Sequence, residues 1–402
     1  MVLKSLVHLL HKCNLSHVEQ KICSTVFYLI GLTNMKLKLH FILLTALAFI
    51  LGSCAPSERN EKSIADVVLN ANSLITNKVY SLTAKQVGVN SNDIGRVMTM
   101  QFIANELVIS DLPREYLFKV YNTDGKLLFK LCKLGEGPNE FKFPTLLQSY
   151  TKNGKTMVKA YNSSKGSCSE FEWTQTLLTK QANLNPASTI KFDQRVQRLV
   201  YLPNSGEMLA VGLFSNRYSV LNTTGQSVQS FGEYPFRKEF PKVSSENLAM
   251  AFQGNFTITE SGQKAAFATS SSSNIDFIDA SSTKFLITKQ HHLTKPDFQS
   301  SNNPNEFSAA ILPSNKMGFL DIQSDKKYVY VLYSGKNLEE GFPEAMKSKT
   351  IVVFDWAGAL VAKLELDISI SKFAINTTQN KIYAFVDLPT PEIVYFNLPK
   401  KM

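Results

Sequence analysis

The fold of this chain is decided by a stretch that reads LFKVYNTDG over residues 117–125. Its first five residues favour a β-strand, and its last four form a turn that ends in glycine, which tolerates a positive φ without strain. The pattern returns as NTTG at 222–225 and as DWAG at 355–358, each time between two apolar segments, and weaker versions stand at 162–166 and 279–282. These stretches predict one β-hairpin that is repeated along the chain.

The repeats predict a β-propeller. A further pair of strands at 381–385 and 393–396 lacks the turn and brings the number of units to six. The units share the span 79–399, which gives about 53 residues per unit, close to the size of a four-stranded propeller blade with its loops. Few segments keep a helical period. We therefore predict an all-β fold, a six-bladed β-propeller of four-stranded antiparallel blades over residues 78–400.

The sequence also indicates how the ring closes and how many blades it has. Residues 79–82 are predicted to supply the fourth strand of the last blade, so that the ring closes without a free sheet edge. Seven blades remain an alternative because the boundaries near 244–263 are indistinct. Several β-sandwiches are the competing fold, but a sandwich usually closes within about 100 residues and no linkers divide the chain in that way.

The N-terminal part predicts a lipid anchor. A basic start, MKLK at 35–38, is followed by an apolar run at 41–50 and by LGSC at 51–54. The apolar run is shorter than the roughly 20 residues that a membrane-spanning helix needs, so a lipoprotein signal is favoured over a transmembrane anchor. Cleavage before Cys54 would leave that cysteine free to carry lipid.

These features divide the chain into segments. The signal peptide is predicted at 35–53, a flexible polar tether at 54–77 and the propeller at 78–400. Because an independent signal begins after them, residues 1–34 are expected to be a misannotated N-terminal extension. The protein is expected to be lipid-anchored to a bacterial membrane, with the outer membrane, on its periplasmic side or at the cell surface, as the expected location. The protein is therefore expected to contact the membrane through the lipid on Cys54.

Charge and cysteine content narrow the function classes. The chain has 43 Lys and Arg against 33 Asp and Glu, a net charge of +10, and loss of residues 1–53 lowers this charge to +6. No basic stripe with interleaved aromatic residues is present, which argues against a nucleic-acid partner. Cys132 and Cys168 could pair in an oxidising compartment or remain two buried free thiols, and both alternatives stay open. The cysteine spacings fit no zinc site, so neither a metal nor a cofactor is expected.

The mature sequence lacks the common catalytic motifs. It contains neither H-E-x-x-H nor G-x-S-x-G, and it has no phosphate loop or calcium loop. Its two histidines, His291 and His292, are expected to be solvated loop residues that would point in opposite directions if they lay on a strand. Trp356 is expected to be exposed in its turn. No catalytic residue is assigned, although carboxylates on different blades could meet in space without a sequence signal.

Three stretches carry a family resemblance: GEGPNEF at 135–141, DKKYVYVLYSGK at 325–336 and VFDWAG at 353–358. They resemble the TolB-like six-bladed propeller lipoproteins of Gram-negative bacteria, most clearly over 117–141 and 325–397. The resemblance implies the propeller fold. It implies no established reaction, cofactor or catalytic residue.

The first of these stretches also predicts a binding face. If the strands of a blade are named A to D from the channel outward, the D–A and B–C loops share one face, termed here the D–A face, and the C–D turns lie on the opposite face. Segments at 135–141, 232–236 and 303–307 follow predicted D strands, and the first and third are expected on opposite sides of the ring. As a binding site, these candidates would ring the channel mouth: Glu136, Asn139, Glu140, Glu233, Tyr234, Asn305 and Glu306. The alternative is that the loops are architectural and that each glutamate caps backbone N–H groups.

The sequence therefore favours a membrane-tethered lipoprotein whose propeller is a binding or scaffold domain for a partner protein, peptidoglycan or a glycan. The alternative is a propeller hydrolase or lyase that acts on carbohydrate or lactone-like substrates. The channel distinguishes them. Two or three inward carboxylates around a water-filled pocket would favour the enzyme, whereas an apolar plug beneath a broad exposed rim would favour binding.

Overall fold

The computed structural model describes residues 74, 76, 78–111, 115–137, 140–184, 188–192, 195–281, 284–301, 306–387, 390–400 and 402. These residues belong to the unit 64–402, one of the two units into which the chain divides. The predicted extension at 1–34, the signal at 35–53 and Cys54 lie outside the described residues, as does nearly all of the tether at 54–77.

The described part of the chain is mostly β-structure. Its strands, in chain order, are β1 (Val79–Leu82), β2 (Lys85–Gln86), β3 (Val97–Ile103), β4 (Glu106–Asp111), β5 (Tyr116–Tyr121), β6 (Leu127–Lys133), β7 (Thr145–Lys152), β8 (Lys155–Asn162), β9 (Ser167–Glu172), β10 (Ile190–Lys191), β11 (Val196–Tyr201), β12 (Met208–Gly212), β13 (Tyr218–Leu221), β14 (Ser227–Phe231), β15 (Gly254–Ile258), β16 (Lys264–Thr269), β17 (Asn274–Asp279), β18 (Leu286–His292), β19 (Phe298–Ser300), β20 (Ala309–Ile311), β21 (Phe319–Ser324), β22 (Tyr328–Tyr333), β23 (Ser348–Asp355), β24 (Leu360–Ile370), β25 (Lys372–Asn376), β26 (Lys381–Val386) and β27 (Glu392–Asn397). The α-helices of this part are α1 (Trp173–Thr179), α2 (Ser245–Ala251) and α3 (Phe342–Ala345), and short 3-10 helices cover Ser91–Asp93, Arg237–Glu239 and Leu338–Glu340.

The strands form the six blades of one propeller. Blades 1 to 4 are built from consecutive strands: β3 to β6, β7 to β10, β11 to β14 and β15 to β18. Blade 5 contains β21 to β24, and blade 6 contains β25 to β27 together with β2. The hairpin of β19 and β20 forms a small sheet of its own in the connection between blades 4 and 5. The predicted six-bladed propeller of four-stranded antiparallel blades is confirmed.

Two N-terminal strands complete the ring. β2 pairs antiparallel with β27 and supplies strand D of blade 6, whereas β1 pairs in parallel with β24 and adds a fifth strand to blade 5. An N-terminal strand therefore closes the last blade as predicted, but residues 85–86 form it, and the assignment of this role to 79–82 was wrong. The physical reason is that Leu82 packs into the apolar cluster between blades 5 and 6, which holds β1 against the outer strand of blade 5.

The repeated hairpin is the C–D turn of alternate blades. Gly125, Gly225 and Gly358 lie in the C–D turns of blades 1, 3 and 5, with φ angles of 88°, 83° and 80°. The prediction that these glycines occupy equivalent turns on one face of one ring is confirmed. The first residue of each turn accepts hydrogen bonds through Oδ1 from the backbone N–H groups two and four residues further on; these residues are Asn122, Asn222 and Asp355.

The two weaker versions of the turn differ from each other. Asp279 begins the C–D turn of blade 4, and its Oδ1 accepts a hydrogen bond from Ser281 N at 2.8 Å. Residues 162–166 instead form the B–C turn of blade 2, so their interpretation as a C–D hairpin was wrong. Helix α1 lies in the C–D connection of that blade, which therefore needs no tight turn.

The core of the molecule lies between the blades. Six apolar clusters of the described residues each join two neighbouring blades, one cluster for every junction from blade 1 to blade 2 around to blade 6 and blade 1. Alternation along the strands produces this arrangement, because both faces of every inner and middle strand meet another blade. A further cluster packs helix α2 beneath the loop that follows blade 3.

Two further features of the fold are the state of the cysteines and the length of the helices. Cys132 and Cys168 are free, buried thiols that belong to the clusters of two different junctions, so the free-thiol alternative holds. Burial raises the pKa of the Cys132 thiol well above its usual value and that of Cys168 to about 12. Within the ranges that the structure describes, no helix has the length and apolar character to cross a membrane.

Candidate functional site

The inner strands of the six blades enclose a polar channel. Its cavity has a volume of about 290 Å³ and is lined by every A strand: β3, β7, β11, β15, β21 and β25. Most of the lining side chains are hydroxyl, amide or apolar groups. The charged residues among the described lining are Lys159, Arg198 and Asp321. The ion pairs and hydrogen bonds of these three residues decide which of them remains available to a ligand.

Lys159 is neutralised by its own blade. Its Nζ lies 2.9 Å from Glu170 Oε2 and 4.5 Å from the centre of the Tyr201 ring, and both partners of the ion pair are buried. Burial would raise the pKa of Glu170, but its hydrogen bonds with Tyr150 and Lys159 hold that pKa below the usual value. Glu170 is therefore a carboxylate near neutral pH, and its contact with Lys159 leaves little net charge in the channel.

Both carboxylate oxygens of Asp321 accept hydrogen bonds from the backbone. One carboxylate oxygen accepts a hydrogen bond from Phe373 N and the other from Ile322 N, each at 3.0 Å, which ties blade 5 to blade 6. Burial raises the pKa of Asp321, and the charge of Lys372 and the two N–H groups oppose that shift. Asp321 is the one carboxylate among the described residues of the channel wall. The channel thus shows neither several inward carboxylates nor an apolar plug.

Arg198 is different because no described carboxylate pairs with it. Its Nη1 donates to the neighbouring Gln197 O at 2.9 Å, and its Nε atom is buried without a hydrogen-bond partner among the described residues. Burial lowers the pKa of the guanidinium, and the nearby Tyr161 opposes that shift only in part. An unpaired cation on a channel wall is electrostatically costly unless a ligand or water compensates it.

A second cavity opens from the channel wall toward the D–A face. It has a volume of about 380 Å³ and lies among the B–C turns of blades 2 and 4 and the beginnings of the A strands of blades 3 and 4. Its polar lining residues are Ser163, Ser164, Gln197, Arg198, Gln253, Asn255, Ser270 and Ser271. Arg198 and Asn255 line both cavities, so they form the wall through which the mouth and the channel meet.

The rim residues of the first D–A loop are tied into that loop. Glu140 Oε2 accepts a hydrogen bond from Gly137 N at 2.9 Å, and a Cβ atom at Gly135 would lie 2.0 Å from the same oxygen. The glycines of this loop therefore leave room for the carboxylate. Glu136 is exposed, and its hydrogen bond and charge interaction with Lys142, at 2.5 Å, lower its pKa. Asn139 lies outside the described residues.

The other two loops contribute exposed carboxylates. Glu233 and Glu306 are both exposed on the D–A face. Tyr234 is buried, and its hydroxyl donates to Phe214 O at 3.0 Å, so this side chain supports the loop from inside. Asn305 lies outside the described residues.

The spacing of the first and third loops agrees with their predicted positions. The loop at 135–141 joins blades 1 and 2, and the segment at 303–307 falls in the connection between blades 4 and 5. These junctions are three blades apart in a ring of six. The described ends of the two loops, Glu140 and Glu306, therefore stand on opposite sides of the channel.

The prediction for the two histidines was wrong. Both lie on β18, where their side chains point in opposite directions. His291 is buried; its Nε2 lies 2.6 Å from Gly358 O and its ring stacks on Phe354. His292 Nε2 lies 2.9 Å from Asp276 Oδ1. The opposite orientation of the two side chains on a strand agrees with the sequence analysis. Their burial between blades was not predicted, because the residues around them in the sequence are polar.

Asp276 is the centre of a buried polar network between blades 3 and 4. Arg217 Nε donates to its Oδ2 at 2.8 Å, and Tyr218 also donates to that oxygen. Burial alone would raise the pKa of Asp276, but the charges of Arg217 and His292 hold it below its ordinary value. Both oxygens are engaged by protein groups, so the network joins two blades and does not face a ligand.

The tryptophans are also structural. Trp356 is buried and its Nε1 donates to Asp325 O at 3.1 Å, so the expectation that it is exposed in its turn was wrong. Trp173 is buried as well, and its Nε1 donates to Glu106 Oε2 at 3.0 Å. Neither ring offers a face to a sugar. In the described part of the chain, no group of three or more His, Cys, Asp or Glu side chains could hold a metal ion.

Comparison with known proteins identifies the family. The family model of the TolB-like 6-blade propeller-like proteins matches residues 75–378, which is most of the chain. The chain belongs to this TolB-like family. The resemblance seen in the sequence is thus confirmed, and the match covers all six blades in part or in full. A comparison with curated proteins found no match.

Solved structures show similar propellers at low identity. An exported-protein candidate of Bacteroides fragilis NCTC 9343 is 10% identical with a TM-score of 0.45, over 80% of this chain and 100% of that one. The β-propeller domain of Cps50 (Swd1) from Myceliophteria thermophila is 12% identical with a TM-score of 0.43, over 79% and 100%. A gluconolactonase of Xanthomonas campestris is 12% identical with a TM-score of 0.42, over 76% and 86%. Likenesses at this level say nothing about what the TolB-like chain binds.

Sequence reasoning missed Arg198. It lies in the segment VQRLVY at 196–201, which reads as an ordinary strand, and no motif marks it. The available signal was a cation in an inner strand that is otherwise mostly apolar, because such a residue must face either a blade interface or the channel. Recognising that it lacks a partner required the positions of all six blades.

Proposed function

We propose that this TolB-like chain is a bacterial lipoprotein whose propeller acts as a binding domain on its D–A face. The lipid on Cys54 would tether it to a membrane, with the outer membrane, on its periplasmic side or at the cell surface, as its place. The partner would be a protein, peptidoglycan or a glycan. The observation that carries the proposal is the open polar mouth of the channel on the same face as the exposed carboxylates of the D–A loops.

The groups in the channel support binding over catalysis. Among the described lining residues, Lys159 is paired with Glu170 and the oxygens of Asp321 are occupied by backbone N–H groups. A hydrolase of the glycosidase type needs two carboxylates on either side of the bond that breaks. A rigid ring that presents loops around a polar opening is, in contrast, a common arrangement for recognition.

The tether is tested through Cys54. Cys54→Ala should abolish incorporation of labelled fatty acid and release the protein into the soluble fraction, because no other residue has the preceding lipoprotein signal. Cys132→Ala is a matched control, since that thiol is buried in the propeller. Lipid labelling that survives in the Cys54 variant would contradict the anchor, and a chain whose translation begins at Met35 should be lipidated like the full chain.

The binding face is tested by capture after mild crosslinking in membranes. The combined variant Glu136→Gln, Glu233→Gln and Glu306→Gln removes three exposed carboxylates from the D–A face and should reduce recovery of the crosslinked partner. Glu260→Gln removes one exposed carboxylate from the opposite face and should leave recovery unchanged. Melting temperature should change little in all variants, because exposed carboxylates contribute little to folding. Equal recovery from the triple variant and the wild type would contradict a role for these carboxylates.

A further inference from the structure

We propose that Arg198 and the polar side chains around it bind an oxyanion, a carboxylate or phosphate group, carried by a hydroxyl-rich ligand such as an acidic sugar. The inference rests on the proposed function, because it names the chemistry that the channel mouth on the binding face would recognise.

Arg198 brings an uncompensated positive charge to this wall. The fully buried cations of the described propeller have acidic partners: Lys159 lies 2.9 Å from Glu170, and Arg217 lies 2.8 Å from Asp276. The guanidinium of Arg198 has the carbonyl of Gln197 and no described carboxylate. Guanidinium groups bind carboxylates and phosphates through two parallel hydrogen bonds. A ligand oxyanion would therefore satisfy both the charge and the unpartnered Nε–H.

The neighbouring side chains suit the remainder of such a ligand. Within the described part of the chain, the side chains of Asn255, Ser163, Ser270 and Ser271 make no hydrogen bond to the protein. Each can donate and accept, which is the combination that sugar hydroxyls require. The mouth cavity of about 380 Å³ lies within the usual range for small-ligand pockets.

The position of Arg198 also fixes an orientation. Arg198 and Asn255 form the wall common to mouth and channel, so the anionic end of a ligand would lie deepest and its hydroxyl-bearing body would face the D–A surface. The glutamates of the first D–A loop would not repel it strongly, because Glu136 lies 2.5 Å from Lys142 and Glu140 lies 3.9 Å from Lys133.

Isothermal titration of the detergent-solubilised full-length protein tests the site. The probes are D-glucuronate, D-glucose as the uncharged counterpart, and inorganic phosphate. Wild type should bind at least one of the two anions about tenfold or more tightly than glucose, since a charge-assisted hydrogen-bond pair contributes about that much. Arg198→Gln should lose this preference, and Arg198→Lys should keep part of it. Competition between phosphate and glucuronate shows which group the site prefers.

Two further variants separate binding from folding. Asn255→Asp places a carboxylate on the same wall and should abolish anion binding without lowering the melting temperature. Lys326→Gln removes the same charge as Arg198→Gln from the opposite face and should bind like wild type. Wild type that prefers neither anion to glucose, or Arg198→Gln that keeps the preference, would overturn the inference. Anion binding that persists while the carboxylate variants of the rim lose no crosslinked partner would instead overturn the proposed role of the rim alone.

Discussion

Single residues set how closely neighbouring blades approach each other. The glycines of the C–D turns illustrate this, because each lies against strand D of the preceding blade or the segment that follows it. A Cβ atom at Gly225 would lie 2.1 Å from Lys191 O, and one at Gly125 would lie 2.7 Å from Val89 N. These turns therefore need glycine for two reasons, the positive φ and the close contact with the preceding blade.

Gly225→Ala should destabilise the protein more than Gly154→Ala. Both glycines have a positive φ, 83° and 74°, but a Cβ at Gly154 would meet nothing within 4 Å. The strained φ costs about 1–2 kcal/mol in each variant, and the clash with Lys191 O should add about 1–3 kcal/mol only in the first. Urea unfolding of both variants measures the difference. Equal loss of stability would mean that the blade contact relaxes without cost.

His291 should make the protein less stable as the pH falls below neutrality. Burial lowers the pKa of His291 from 6.5, and the charges of Lys289 and His292 lower it further, while the hydrogen bond to Gly358 and the charge of Asp276 oppose that shift. A lowered pKa means that the unfolded chain takes up the proton first. Stability is therefore complete above about pH 6.5 and declines as the pH falls from there toward the folded-state pKa.

The variant His291→Gln tests this origin. It keeps a donor for Gly358 O and removes the titrating group, so its urea midpoint should be lower at pH 7 but should change less between pH 7 and pH 5 than the midpoint of wild type. Parallel curves for the two proteins would assign the pH dependence to other groups.

Some amide side chains join neighbouring blades by making the pair of hydrogen bonds that a backbone peptide group would otherwise make. The amide of Gln148, on the inner strand of blade 2, donates to Tyr201 O at 2.8 Å and accepts from Tyr201 N at 2.7 Å in blade 3. Gln229 makes the same double contact with Phe285 between blades 3 and 4. Such amides continue a hydrogen-bond ladder where two sheets diverge.

Gln148→Ala should lower the free energy of unfolding by about 1–3 kcal/mol, because it leaves a backbone N–H and C=O without partners in a part-buried site. Gln101→Ala is the matched control: Gln101 lines the same channel from an inner strand, and its side chain makes no hydrogen bond to the described residues. The control should change stability by less than about 0.5 kcal/mol. Chemical denaturation of both variants decides whether the hydrogen bonds of Gln148 or the loss of side-chain volume in the channel matters.

The elements that the sequence predicted are those with a local cause. The Asn/Asp-x-x-Gly turns could be located because φ and the Oδ1 hydrogen bonds depend on four or five adjacent residues. The turn at 162–166 also begins with an asparagine whose Oδ1 accepts a backbone hydrogen bond and ends in a glycine of positive φ. Only the order of strands in blade 2 shows that it joins B to C. The closing strand was misplaced for a similar reason, since 79–82 and 85–86 are both short and their choice of partner is made by distant strands.

The candidate site was less predictable than the fold. The acidic residues near the rim could be found from the glycine and proline of their loops, and Glu140 proved to serve the loop that contains it. Arg198, Asn255 and the serines of the mouth come from three blades, and no spacing along the chain relates them. Their significance lies in what is missing around the guanidinium, which a sequence cannot show.

At the scale of the whole molecule, stability depends on a closed cycle of similar interfaces. Each of the six apolar clusters joins two blades, so an opened ring would lose one interface and expose the apolar faces of two sheets. Strand β2, which has only two residues, completes blade 6 by pairing with β27. Val87, which follows it, donates to Ile393 O at 3.0 Å and packs in the cluster between blades 6 and 1.

Removal of β2 should therefore open the ring. A chain that begins at residue 88 lacks β1, β2 and Val87, whereas one that begins at residue 78 keeps all three. The longer chain should unfold in a single cooperative transition at the same temperature as the protein without its signal. The shorter chain should melt at a lower temperature and form oligomers, because β27 then presents a free edge to other molecules.

A third chain that begins at residue 84 removes β1 alone and measures the contribution of Leu82 and its strand. Calorimetry and light scattering on the three chains give the comparison; if the chain from residue 88 remained monomeric and melted like the longest one, closure by β2 would not be what holds blade 6 in the ring.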